Sequence, residues 1–332
     1  MTSTALDLPT WLDPNWARLQ QMLAQQRLPH GMVLGGLPGL GKRQLAEALL
    51  ARLICQTPQH GHACGQCKSC LLRLAGSHPD IKRLEPEDEG KAILVDSVRK
   101  LQPWLAATAQ QGGAKVVLIE PANELNVNAA NALLKNLEEP GRDTYFLLLH
   151  HWPKPLLATV RSRCQGQDVL PPELEQGTTW LAAQQPDASD TDLSQVMHMA
   201  HGAPLLALRY LQQAAPALRH QTLVDLTALL RNQTSVAQVA ETWVKAPVKQ
   251  VLDWWLQWLQ DLIKLKQTQD PNTVLNQDVV KLLQAVARKT DMPTIFALYD
   301  EVLQALNSLN QRRNINQQLM LEQLLYRWYQ LI

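Results

Sequence analysis

Gly31-Met32-Val33-Leu34-Gly35-Gly36-Leu37-Pro38-Gly39-Leu40-Gly41-Lys42-Arg43 is the stretch whose reading decides the fold. The run from Gly31 to Leu34 has no polar face, the pattern of a strand buried on both sides. Gly36, Gly39, Gly41 and Lys42 then follow the spacing of a phosphate-binding loop. In such a loop the glycines let backbone N–H groups curl round phosphate oxygens, and the lysine adds a point charge. Gln44 to Leu53 continues with helical spacing, so the loop sits between a strand and a helix, where it has to be.

Outward from this loop, Val116 to Ile119 and Tyr145 to Leu149 read as two more buried strands. Asn128 to Leu137 between them has helical spacing and stops at Glu139-Pro140-Gly141. Strands alternating with helices predict a parallel sheet covered by helices, an α/β domain over residues 1–170. Beyond Pro171-Pro172 the strand-like runs cease, and Leu, Gln, Ala and Trp recur at helical intervals to Ile332. Pro186 to Asp192 reads as a loop, and Gln267 to Gln277 interrupts the last helical stretch. Trp254, Trp255 and Trp258 raise the possibility of base stacking. The spacing of Trp255 with Leu259 and Leu262, and of Trp258 with Leu265, favours an apolar helix face packed in a core.

The 332 residues carry 31 Lys and Arg against 30 Asp and Glu, a formal net charge of +1. There is no global pull toward nucleic acid or an anionic membrane, so DNA contact has to come from a local patch. No stretch approaches the ~20 apolar residues of a membrane helix, and the first residues lack the pattern of a secretory signal, which predicts a cytoplasmic protein.

Two features of the loop oppose catalysis. The Ser or Thr whose hydroxyl would ligate Mg²⁺ is replaced by Arg43, and the acid pair expected after the strand Val116 to Ile119 reads Glu120-Pro121. Arginine ligates no cation and proline is no base, so hydrolysis is expected to be absent. ATP or ADP binding without turnover stays open, because Lys42 and the glycines remain.

Cys55, Cys64, Cys67 and Cys70 cluster, while Cys164 stands alone. Their spacing suits four thiolates closing a tetrahedron round Zn²⁺, a structural site with no open position for water. An iron–sulfur cluster or unpaired thiols are the alternatives. Lys68 and Arg73 lie near enough in sequence to offset the negative charge of four thiolates. Arg163, in Ser162-Arg163-Cys164 at the end of the α/β pattern, would by itself read as a solvated or salt-bridged surface group.

These residues resemble the clamp-loader AAA+ family, and within it the bacterial DNA polymerase III delta-prime subunits. The resemblance is carried by Leu28-Pro29-His30, the cysteine cluster, the run Asn128 to Pro140 and Ser162-Arg163-Cys164. It is dense over the first ~170 residues and rests mainly on length and helical character afterwards. It implies an AAA+ core at 1–170 with a zinc insertion at about 55–70, a helical lid at 171–210, and an all-helical collar at 211–332. It also implies that Arg163 acts in trans as an arginine finger on ATP held by a neighbour. The implied partners are gamma/tau motor subunits and the delta subunit, with the sliding clamp and primed DNA reached through the assembled complex. The isolated chain is expected to be a monomer that belongs to the DNA polymerase III holoenzyme without ATPase activity of its own.

The departures from the ATP-hydrolysing gamma/tau relatives point the same way. Beside Arg43 and Pro121, His150-His151 stands where a sensor Thr or Asn is expected, and Leu205 where a phosphate-sensing arginine is expected. Two alternatives make different predictions. An active ATPase of the same family would hydrolyse ATP alone, and a zinc-containing DNA-binding module would bind DNA in a salt-dependent way.

Overall fold

β1 (Gly31–Gly36) is buried at every residue, as a strand with neighbours on both sides and helices on both faces must be. The computed structural model describes residues 7–88, 90–186, 188–310 and 315–331. Around β1 lie β2 (Ile81–Leu84), β3 (Lys115–Ile119), β4 (Thr144–His151) and β5 (Gln165–Asp168). Among the described residues they form a sheet of order β2-β3-β4-β1-β5, with every neighbouring pair parallel. The three strands expected from sequence are present and slightly longer than predicted, and β2 and β5 add an edge on each side.

Helices α1 (Asp13–Ala24), α2 (Lys42–Ile54), α3 (Lys68–Leu74), α4 (Val95–Arg99), α5 (Gln102–Ala106), α6 (Val127–Glu138) and α7 (Ala158–Arg161) fill the connections. α6 shows why the sequence chooses helix. Asn126 caps it, its Oδ1 accepting from Ala129 N at 2.7 Å, and Ala129, Ala130, Leu133 and Leu137 bury one face in the core. Burying each leucine contributes about 2 kcal/mol. Pro140 cannot continue the ladder.

Buried Lys115 is satisfied without a carboxylate in hydrogen-bonding contact. Its Nζ donates to the carbonyls of Trp104, Leu105 and Ala107 at 2.5, 3.1 and 2.6 Å. This ties the end of α5 to β3.

Beyond β5 the described chain is helical: α8 (Leu174–Gln184), α9 (Asp190–Met199), α10 (Pro204–Gln212), α11 (Ala215–Leu230), α12 (Val236–Trp243), α13 (Val248–Thr268), α14 (Val280–Lys289), α15 (Met292–Asn310) and α16 (Gln317–Tyr329). Contacts divide the protein into two compact units. One runs up to Gly177 and includes Ala203–Leu206; the other holds Thr178–Gly202 and the chain from Ala207 onward. The loop expected at 186–192 is shorter than predicted, because Ser189 caps α9, its Oγ accepting from Asp192 N at 3.2 Å.

The three tryptophans belong to the core of the helical unit. Trp254 and Trp255 are fully buried and Trp258 is 2% exposed, so none has a face free for a base. Trp255 packs edge-on against Trp243 and Trp328, with centroids 5.6 and 6.0 Å away. Arg219, itself buried, lies over Trp258 and pairs with Asp278 and Asn276.

Candidate functional site

In a parallel sheet the strands deliver their carboxyl ends to one edge, and ligand sites form there. At that edge β1 runs into the glycine loop, β3 into Glu120, and β4 ends at His150 and His151, with Gly36 paired to His151. Gly36, Gly39, Gly41 and Lys42 are thus brought together as expected. Gly39 and Gly41 take φ of 80° and 89°, a region that L side chains rarely adopt.

The charges at this edge are already partnered. Lys42 is 3% exposed, and its Nζ donates to Gly36 O at 2.7 Å and Leu37 O at 2.6 Å. Burial lowers its pKa to about 8. Arg43 pairs with both Glu120 and Glu85, so a guanidinium engages the one carboxylate that the sequence offers to a metal. Burial pushes the Glu120 carboxyl above its ordinary range, against the pull of Arg43. His151, 3.7 Å from Glu120, is driven down to about 4 by burial and then by nearby Lys42.

The loop is also covered. Leu205 N donates to Gly39 O at 3.1 Å, and a Cβ placed on Gly39 would lie 2.5 Å from Leu206 N and Cβ. Leu205, singled out for the arginine it lacks, therefore contributes its backbone to closing the loop.

Cys55, Cys64, Cys67 and Cys70 do converge, with all four Sγ atoms within 4.8 Å of one another. Cys55 is the C-cap of α2 and Cys67 the N-cap of α3, so two helix ends and the loop between them build the cluster. A zinc–thiolate bond of about 2.3 Å sets tetrahedral sulfurs about 3.8 Å apart, and Cys55 and Cys67 Sγ stand at 4.0 Å. Backbone N–H groups already point at sulfur, from Cys64 N to Cys55 Sγ at 3.2 Å and from Cys67 N to Cys64 Sγ at 3.3 Å. Such bonds favour thiolates and orient them. The donor set fits a closed four-sulfur metal site, in which the metal would supply a cross-link and the protein leaves no ligand position for chemistry.

Arg163 lies at the opposite edge. It precedes β5, whose Gln165 pairs with Met32 at the start of β1, so it sits beside the amino end of the strand whose carboxyl end carries the glycine loop. Arg163 Nε donates to Glu138 Oε1 at 2.6 Å, and Nη2 forms an ion pair with the same oxygen at 2.5 Å. Its Nη1 donates to Thr159 O at 2.9 Å and Ser162 Oγ at 3.2 Å. Cys164 packs so near Gly31 that a Cβ there would be 3.1 Å from its sulfur, and burial raises its thiol to about 11, which leaves it an inert packing residue.

Sequence reasoning missed Glu85 and Glu138 as partners of the two arginines. Glu138 lies within the quoted Asn128 to Pro140 run, yet nothing in a separation of 25 residues signals its pairing with Arg163.

A parallel sheet of this order, with a glycine loop after β1, a four-cysteine cluster between α2 and β2 and a helical second half, defines an AAA+-type P-loop protein. The family models for the DNA polymerase III delta subunit and for its C-terminal region match residues 12–172 and 213–330. The DNA polymerase III subunit delta-prime of Pseudomonas aeruginosa is 38% identical over 97% of both chains, and that of Yersinia pestis 35% identical over 96% of this chain and 94% of its own. The chain belongs to the DNA polymerase III delta-prime family. Among solved structures, a gamma subunit-related protein of DNA polymerase III from Thermotoga maritima is similar at 16% identity and a TM-score of 0.42, over 95% of this chain and 98% of its own. Among the described residues no helix is long and apolar enough to cross a membrane.

Proposed function

We propose that this chain is a non-hydrolysing clamp-loader subunit that supplies Arg163 in trans to nucleotide held by a neighbouring motor subunit. The observation that carries the reading is the separation of two half-sites across one sheet. The six residues of β1, at about 3.3 Å each, put roughly 20 Å between the glycine loop and the Arg163 edge, beyond the reach of an arginine side chain. Any phosphate that Arg163 meets has to belong to another molecule. At the glycine loop, Lys42 is bonded to the loop's own carbonyls and Arg43 is paired with Glu120, which supports a loop without turnover.

In this reading the partners are gamma/tau motor subunits and delta, and the assembly places the sliding clamp on primed DNA. Residues 1–170 act as the AAA+ core, 171–210 as a lid and 211–332 as the collar, and Zn²⁺ occupies the Cys55, Cys64, Cys67 and Cys70 cluster as a structural cross-link. Arginine suits the role because its planar fork engages phosphate oxygens in a fixed geometry.

The test is DNA- and clamp-stimulated ATP hydrolysis by a loader reconstituted with its motor subunits and delta, comparing this chain with Arg163→Ala. The expected result is loss of hydrolysis at one motor site by about 10³-fold or more, with assembly intact. Unchanged hydrolysis at every motor site in an intact complex would leave Arg163 a surface residue.

A further inference from the structure

Glu138 is the last residue of α6, and its carboxylate is half exposed at the same edge as Arg163. It is placed there by a rigid support. The side of α6 that faces the sheet is buried through Ala129, Ala130, Leu133 and Leu137, and His30 Nε2 donates to Leu137 O at 2.7 Å. That bond ties the end of α6 to the residue before β1.

The way Glu138 holds Arg163 matters more than the fact that it does. Oε1 takes the Nε–Nη2 side of the guanidinium, while Thr159 O and Ser162 Oγ take Nη1. Nη2 carries two hydrogens, and the one on the Nε side is turned toward Oε1, with which Nη2 forms an ion pair. By the planarity of the group, the second points about 120° away, along the outer edge that Nη2 shares with Nη1. The arginine is gripped from two sides and stays a third exposed, and the outer Nη2 hydrogen is the one for which these contacts supply no acceptor.

We propose that Glu138 is a positioning residue for Arg163: it stays on the Nε–Nη2 side while the outer edge of the guanidinium meets a neighbour's phosphate. The proposal rests on the trans-acting reading of Arg163. A free arginine spreads over many rotamers, and orienting it in advance removes that entropic cost from the transition state. The carboxylate's own charge opposes an approaching phosphate. The acceptor oxygen is therefore what the site needs, and an amide can supply it.

The experiment uses the reconstituted loader and follows inorganic phosphate release at saturating ATP, with primed DNA and clamp. Glu138→Ala is expected to lower the kcat of the affected site on the order of 10-fold, because Thr159 and Ser162 still hold Nη1, with KM for ATP unchanged. Glu138→Gln, which keeps an acceptor for Nε, is expected to recover to within about threefold of the native rate. In the Arg163→Ala background, Glu138→Ala is expected to have no further effect, as coupled residues are non-additive.

A native rate for Glu138→Ala beside a large loss for Arg163→Ala overturns this proposal and leaves the trans-acting arginine standing. An equal further loss from Glu138→Ala in the Arg163→Ala background also overturns it, since the residue would then act through the fold. If Arg163→Ala itself retains the native rate, both readings fall together, a pattern distinct from the other two.

Discussion

The two edges of the sheet both pair an arginine with carboxylate, and they differ in what surrounds it. At the carboxyl edge Lys42 is buried and turned onto Gly36 and Leu37, and Arg43 is drawn onto Glu120 and Glu85. At the amino edge Arg163 is held by Glu138, Thr159 and Ser162 with 33% of its side chain exposed, against 56% for Arg43, so exposure alone does not separate the two arginines. Both edges are assembled from family motifs, and what surrounds the charges distinguishes them. A motif records which residues are present, whereas the partners decide whether a charge is available to a ligand.

The strongest way to break this comparison is Arg163→Lys in the reconstituted loader. An ammonium keeps the charge and loses the fork, so hydrolysis at the neighbour's site should fall on the order of 10²-fold or more, read as phosphate release. Recovery of most of the native rate would mean that charge alone suffices at the amino edge.

Metal removal tests the support of the fold rather than either edge. Stripping the Cys55, Cys64, Cys67 and Cys70 cluster with a chelator, or introducing Cys70→Ser, should cost about 3 kcal/mol, by analogy with a cross-link closing a loop of that length. The thermal midpoint should drop by about 6–12 °C in a calorimetric scan. A metal-free sample with an unshifted midpoint would show that the helix ends hold themselves.

A smaller effect belongs to the carboxyl edge alone. His151 has its pKa depressed to about 4 in the folded protein, against 6.5 when exposed. Between those values the unfolded chain binds a proton that the folded one does not, so stability falls as pH drops from 6.5 to 4 and is flat for this group outside that window. The contribution is ~2 kcal/mol once its partial exposure is allowed for. Denaturant titrations of His151→Asn should show a correspondingly shallower pH slope. The smallest effect should come from Lys42→Ala, which is expected to leave the loader's ATP hydrolysis within about twofold of native; a loss approaching that of Arg163→Ala would erase the distinction between the edges.

Much of this was legible because it is local. The glycine loop, the helix that stops short of Pro140 and the clustered cysteines depend on neighbours in sequence, and each is where the spacing put it. The tryptophans were ambiguous, because helical spacing is shared by a core and a stacking platform; burial of Trp254, Trp255 and Trp258 decided between them. The strand order, the Arg43 pairs with Glu85 and Glu120, and the Glu138 grip on Arg163 join residues far apart in the chain. No periodicity reports such pairings. Lys115 makes the same point, since no spacing reports the three carbonyls that satisfy its buried ammonium.

The contact of Leu206 with Gly39 has a consequence for anyone who would repair this chain into a motor. Supplying a hydroxyl at position 43 and an acid at position 121 would return the missing groups, yet the backbone of Leu205 and Leu206 would still close over the loop. Reversion by those two changes alone should therefore yield an idle protein. If the proposed reading holds, shape as well as chemistry opposes turnover at this loop, and the segment Ala203–Leu206 would have to be remodelled along with positions 43 and 121.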